Sequence, residues 1–320
     1  MKVLLRCTLM LLIAVTSWAA LAQTAQPYPN RPVRLVLGPS PDLLSRMVGQ
    51  KLSESWGQQL VIDQRPAAGG IIAGETVAKA PADGYTWLLS TASFVTLAHL
   101  YPKLPFEFQR DFTPVALMGS LPWVVVVHPS VPAKTLAEFV QLARAKPGQM
   151  NYANPGNGTS THIVTEMFLL DAGIKLVNIP YKGVVASLTD LVGGQAQMSF
   201  GITQASVPHV QSGRLRALAV STAKRIAALP DVPTLAESGF KDMDVVGWNG
   251  VHVPTGTPPS LIAQINRNIN DVLKMRDIQE RMTASGFEIG NTTVPEFAAF
   301  VKRDFDRYGK VIREANIRGD

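Results

Sequence analysis

One unit recurs along this chain: an apolar, β-branched run, then a turn of small polar residues, then a helical stripe. Val33–Leu37 runs into Gly38-Pro39-Ser40-Pro41, and Asp42 opens a helix with Leu43, Leu44, Met47, Val48 and Leu52 on its apolar side. Residues 60–62 form a second strand, and Arg65-Pro66-Ala67-Ala68-Gly69-Gly70 turns into a helix through Ile72 and Val77. Asp83-Gly84 leads into a strand over residues 86–89, which runs straight into Ser90-Thr91-Ala92-Ser93. This alternation is the pattern of a parallel sheet covered by helices. A second set follows, with strands at 124–127, 176–179, 197–200 and 215–220 and helices at 133–145 and 184–192. The final third differs. Residues 245–253 read as a strand holding Trp248, and residues 254–259 form a Pro- and Gly-rich turn. Ile262, Ile265, Ile269, Val272 and Leu273, then Phe297, Phe300, Val301 and Phe305, make two helical stripes that read as core or docking faces.

The sharpest local feature is Asn-Tyr-Ala-Asn-Pro-Gly-Asn-Gly-Thr-Ser-Thr-His at residues 151–162. Ile163, Met167 and Leu170 follow at helical spacing, so the stretch reads as a strand-to-helix turn with Thr159 or Ser160 as the cap. Such a turn aims unpaired backbone N–H groups and the positive end of the helix dipole at one point. Gly156 and Gly158 let the backbone approach whatever sits there, because no Cβ intervenes. The stretch therefore predicts a cradle for a carboxylate or phosphate. His162, in the first helical turn, is placed either to face the anion or to serve as a surface or capping histidine.

Several classes of function are excluded. Lys2 and Arg6, an apolar run over residues 9–15 and Ala20-Leu21-Ala22 form a secretory leader, cleaved after Ala22. No later run is long enough to span a bilayer. The only cysteine, Cys7, lies inside the leader, so the mature chain has no thiol nucleophile, disulfide or Cys-ligated metal. Formal net charge is +6, with the cations scattered, which argues against a nucleic-acid groove. Gly156-x-Gly158-x-x-Thr161 lacks the third glycine of a dinucleotide fingerprint, and no Walker or G-x-S-x-G sequence is present. His99, His128, His162, His209 and His252 have no metal-ligand spacing. No metal and no cofactor is expected. What accumulates instead is hydroxyls at strand ends: Ser40, Ser90, Thr91, Ser93, Thr159, Ser160 and Thr203. In open α/β sheets ligands bind outside the carboxyl ends of strands, so the pattern favours a binder over an enzyme.

Three sets of residues carry a resemblance to a known family. Asp83-Gly84-Tyr85-Thr86-Trp87-Leu88-Leu89, Leu100-Tyr101-Pro102-Lys103-Leu104-Pro105-Phe106 and Asp111-Phe112-Thr113-Pro114-Val115-Ala116 form the first. Pro180-Tyr181-Lys182-Gly183, Asp190-Leu191-Val192-Gly193-Gly194-Gln195 and Arg214-Leu215-Arg216-Ala217-Leu218-Ala219-Val220 form the second. Leu229-Pro230-Asp231-Val232-Pro233-Thr234 and Glu237-Ser238-Gly239 complete them. From about Tyr28 onward the chain resembles the Bug-type receptors of tripartite tricarboxylate transporters. The resemblance implies a type II periplasmic binding protein fold, with two α/β domains and a ligand cleft between them. Residues 28–123 and 249–320 would form one domain and residues 124–248 the other, with crossings near Trp123 and Trp248.

It further implies a periplasmic, monomeric receptor that binds a small organic carboxylate and delivers it to membrane transporter subunits. A periplasmic sensor that docks on a membrane signalling protein is the alternative. Carried over, the ligand-binding positions are Gly38 and Ser40 in the first turn, then Ser90, Thr91 and Ser93. Asn157, Gly158, Thr159, Ser160 and His162 follow, and Gly201, Ile202 and Thr203 close the set. Two departures stand out. The first turn lacks the longer Gly-Gly loop of the family, and Pro39 and Pro41 supply no N–H. Gly201 stands where the family often has Asp. With a thin first-domain wall, unless Ser90, Thr91 and Ser93 compensate, the expectation is a monocarboxylate with an apolar or neutral polar tail, or a degenerate receptor that binds weakly. An aspartate at position 201 is expected to add a partner for a ligand amine. Binding is expected to close a hinge at the two crossings.

Overall fold

The computed structural model describes residues 28–39 and 42–319. The leader expected at residues 1–22 and the candidate Ser40 lie outside the described residues. Two sheets organise the chain. The first contains β1 (Val33–Leu37), β2 (Leu60–Gln64), β3 (Thr86–Thr91), β4 (Phe112–Leu121), β10 (Gly247–Pro254) and β11 (Glu288–Ile289), in the order β11-β4-β10-β3-β1-β2. The second contains β5 (Trp123–Val127), β6 (Asn151–Asn154), β7 (Val177–Pro180), β8 (Met198–Ile202) and β9 (Arg216–Val220), in the order β7-β6-β8-β5-β9.

Neither sheet is wholly parallel, which corrects the reading from local pattern. β1 pairs parallel with β2 and β3, and β6 pairs parallel with β7 and β8. But β10 runs antiparallel to β3 and β4, and β5 runs antiparallel to β8 and β9. The reason is connectivity. β4 and β5 are joined through Pro122 alone, so the chain leaves one sheet and enters the other without a helix to return it to the same end. It comes back between β9 and β10. Trp123 thus opens a strand of the second sheet, and Trp248 lies in a strand of the first. Local periodicity missed β4, the longest strand, because Pro114 and Gly119 interrupt its apolar run.

Helices flank both sheets. In chain order they are α1 (Leu43–Trp56), α2 (Ile71–Ala78), α3 (Ala92–Leu100), α4 (Phe108–Asp111), α5 (Leu136–Ala145), α6 (Ser160–Ala172), α7 (Val184–Val192), α8 (Thr203–Gln211), α9 (Pro259–Leu273), α10 (Arg276–Ala284) and α11 (Val294–Glu314). The termini follow local chemistry. Thr135 with Glu138, and Thr293 with Glu296, form capping boxes at the starts of α5 and α11. α9 places Ile262, Ile265, Ile269, Val272 and Leu273 in the core, as its stripe requires. α11 packs on β4 and α3 and also reaches α6. The His99 ring lies against Gly309 there and bonds the Phe305 carbonyl at 2.9 Å. One hydrophobic cluster is continuous through the crossings, from Val36 and Leu88 through Trp123 and Trp248 to Val125 and Phe200.

Candidate ligand-binding site

β3 runs directly into α3 and β6 reaches α6 through the turn at residues 155–159, and the two helices begin opposite one another. Thr91 caps α3 by accepting the Phe94 N–H at 3.2 Å. Thr159 caps α6 by accepting the His162 N–H at 3.4 Å. Of the two cap candidates at the second turn, Thr159 is the cap and Ser160 the first helical residue. The Ser160 N–H donates to Ser93 Oγ at 3.2 Å, and the Ser93 hydroxyl donates to Ser160 Oγ at 3.2 Å. Two positive helix ends therefore meet across the space between the sheets. α7 adds a third, because Gly183 precedes it without a side-chain cap and both Gly183 and Val184 line the same space.

The turn before α6 is held by its own side chains. Asn154 Oδ1 accepts the Gly156 N–H at 2.6 Å, and its amide bonds Asn178. Asn178 Nδ2 in turn donates to Asn157 Oδ1 at 3.1 Å. His162 Nδ1 accepts the Gly158 N–H at 3.1 Å, while its Nε2 lies 3.3 Å from Asn178 Nδ2. Behind them the Tyr152 hydroxyl donates to Glu166 at 2.5 Å, and burial pushes the Glu166 carboxyl up from its ordinary range. Gly158 has φ 72°, and a Cβ on it would stand 2.6 Å from Leu100 Cδ1 of α3, while its carbonyl accepts from Thr96. Here a glycine is required by the positive φ, and any side chain would also displace the Leu100 side chain of the facing helix.

The cleft between these turns has a volume of about 360 Å³. Six of the predicted site residues line it: Gly38, Thr91, Ser93, Thr159, Ser160 and Ile202. The rest of its wall is mostly apolar and comes from Leu89, Phe94, Leu121, Trp123, Val184, Trp248 and Phe287, with Asn249 among them. Among the described residues that line it, none carries an ionisable side chain.

Other candidates fall elsewhere. Ser90 is fully buried under the first wall, bonding the Gly250 carbonyl and His252 Nδ1. Burial lowers the His252 pKa to about 3, so that ring is neutral. Asn157, Gly158 and His162 build the second turn and do not line the cleft; the His162 ring neither faces the cleft nor lies on the surface but is buried, with Nδ1 accepting the Gly158 N–H. Thr203 is buried with its hydroxyl on the Pro122 carbonyl. Gly201 faces Ser206 in a small pocket that adjoins the cleft through Pro155, Thr161, Val184 and Ile202, and a Cβ there would overlap the Ser206 hydroxyl. The expectation that an aspartate at 201 would meet a ligand amine is therefore corrected on steric grounds. Sequence reading missed Trp123, Trp248 and Asn249 as wall residues. The available signal was an asparagine within an apolar strand, where it fits poorly unless it has a polar task.

Comparison with known proteins gives this geometry a context. The profile described as "Tripartite tricarboxylate transporter family receptor" matches residues 44–317. The chain belongs to that family. BugT of Bordetella pertussis is 33% identical over 309 residues, covering 95% of this chain and 95% of BugT. The solved structure titled as R. palustris Rpa4515 with adipate is 32% identical, with TM-score 0.77, covering 91% of this chain and 99% of that one. MatC of Rhodopseudomonas palustris, titled as having bound malate, is 26% identical, with TM-score 0.74, covering 89% and 100%. The receptor thus has the two-domain fold of periplasmic binding proteins, and its family consists of substrate-binding receptors rather than enzymes. No helix among the described residues is long and apolar enough to cross a membrane.

Proposed function

We propose that this receptor is exported to the periplasm, captures a small organic carboxylate in the cleft and hands it to the membrane subunits of a tripartite transporter. The observation that supports this most is the meeting of the α3 and α6 N-termini at Ser93 and Ser160, with no charged side chain in the wall. Helix N-termini bind carboxylates through oriented N–H groups and the dipole, without a paired cation. The carboxylate takes over the Ser160 N–H and the Ser93 hydroxyl, which bond each other in the structure. Its body lies on the apolar wall. The adipate and malate of the two related receptors are the same chemical class.

Residues 28–123 with 249–320 and residues 124–248 act as two bodies that close on the ligand by bending at the crossings. The crossing at Pro122 suits this role, since a single residue links the two sheets there. A thermal-shift screen of mono- and dicarboxylates on the purified mature chain tests the reading. A ligand at a hundred times its Kd stabilises by about 2.7 kcal/mol. Saturating ligand should also reduce the radius of gyration in small-angle scattering. A chain stabilised by no carboxylate would overturn the proposal.

A further inference from the structure

The floor of the cleft holds two polar groups that the protein itself does not use. Asn249 is 8% exposed and Trp123 2% exposed, and both line the cleft. Among the described residues, neither the Asn249 amide nor the Trp123 indole N–H has a hydrogen-bond partner, and neither is sealed away from the cleft. Both groups are open to the cleft and bond nothing in the protein, so a ligand atom entering it can replace water on each. They are also neighbours. Gly247 and Asn249 are two apart on β10 and so share a face of the strand. A Cβ on Gly247 would stand 3.3 Å from Trp123 Cζ2, so the glycine makes room for the indole beside the amide. Asn249 pairs across the sheet with Thr91, the cap of α3, which puts the amide next to the anion-binding end.

We propose that Asn249 and Trp123 form a specificity floor that recognises a hydroxyl group on the carboxylate ligand. The inference rests on the receptor reading above. An amide offers both donors and an acceptor, whereas the indole N–H only donates. A hydroxyl oxygen accepts from the indole while its proton goes to Asn249 Oδ1, which satisfies both groups at once. A second carboxylate only accepts, so it would take the indole N–H but leave Asn249 Oδ1 without a donor. Behind the floor, moreover, the Trp248 indole donates to the buried carboxyl group of Asp304 at 2.9 Å. An ammonium group would find Oδ1 but would face the donor-only indole. Asn249 also supplies the polar contact that the short first turn withholds from the first wall.

The test is calorimetric titration of the full mature chain with acids paired by one hydroxyl: succinate with malate, benzoate with 4-hydroxybenzoate, 3-phenylpropionate with 3-phenyllactate. In at least one pair the hydroxylated acid should bind about tenfold or more tightly, the scale of a buried hydrogen-bonding site left unfilled. Asn249→Leu, of similar volume, should bring that pair to within about twofold of each other. Its affinity for the hydroxylated acid should fall further than its affinity for the unsubstituted one. Asn249→Ala serves the same purpose if the leucine variant melts early. Equal binding within every pair, or a preference that survives both substitutions, would overturn the floor while leaving the receptor reading intact. Failure of every acid to bind would overturn both.

Discussion

The two walls of the cleft are built differently. The second wall, the turn between β6 and α6, is locked by its own side chains, with Asn154, Asn157, Asn178 and His162 bonded to one another and to the turn's backbone. The first wall carries a single cap bond at Thr91, a turn that includes Pro39, and an amide at Asn249 with no internal partner. One wall has spent its polar groups on itself and is fixed in shape. The other has kept polar groups free for the ligand. In such a design the preorganised wall sets affinity and the open wall sets selectivity, because groups already satisfied cannot discriminate between ligands.

The comparison can be broken at several points. The largest effect is expected at Gly158, where a side chain must adopt φ 72° and collide with Leu100. Gly158→Val should lower unfolding free energy by about 2–5 kcal/mol and hold the two halves apart. Denaturant unfolding and scattering with ligand measure both consequences. A variant with native stability and native compaction would show that the two walls do not meet there.

Beneath the first wall, His252 gives a pH signature. Burial lowers its pKa from 6.5 to about 3, so between those values the unfolded chain binds a proton that the folded chain does not. Its contribution is therefore fully present above about pH 6.5 and is lost as pH falls toward 3, by a few kcal/mol. The difference in stability between the receptor and His252→Leu should shrink in that window, in the variant's favour, since all other groups are common to both. Parallel stability curves across this range would remove His252 from the account.

A smaller effect is expected at Asn178. Asn178→Leu removes the bonds that Asn154 and Asn157 make to the Asn178 amide and should cost about 1–3 kcal/mol of stability. Because the second wall sets affinity, it should weaken all carboxylates alike and leave their order unchanged in a titration panel. A change of order would contradict the division of labour between the walls. The smallest effect separates the caps. Thr91→Ala and Thr159→Ala should each cost about 1 kcal/mol by thermal melting. Thr159 also bonds the Gly156 carbonyl, so its loss should be the larger of the two.

Much of this was legible in the sequence, for physical reasons that differ by region. The 151–162 stretch announced its turn because Asn, Gly and Thr at those spacings leave few backbone alternatives, and the structure places Thr159 as cap. Strand β1 and helix α7 were readable from apolar runs bounded by Gly and Pro. What local pattern could not show was strand direction, since β5 and β10 are reversed by the crossings at Pro122 and before Gly247. Nor could it separate a hydroxyl that lines a cleft from one that braces a neighbour. Ser90 and Ser93 lie three residues apart, yet the strand turns the first toward His252 and the helix start turns the second toward Ser160. Asn249 was hidden for the opposite reason, because its task depends on β3 arriving beside it.

The central claim is that the carboxylate is held between two helix N-termini by neutral donors. It is tested most directly by titrating a stabilising carboxylate, and its uncharged carboxamide, into the receptor and into the Ser93→Ala/Ser160→Ala double variant. The carboxylate should bind the receptor and lose at least about tenfold in the variant, since bonds to a charged group are worth about 1.5–3 kcal/mol. The carboxamide should bind the receptor weakly and lose little. Unchanged carboxylate affinity in the double variant, with the fold intact, would contradict the account and place the anion elsewhere in the cleft.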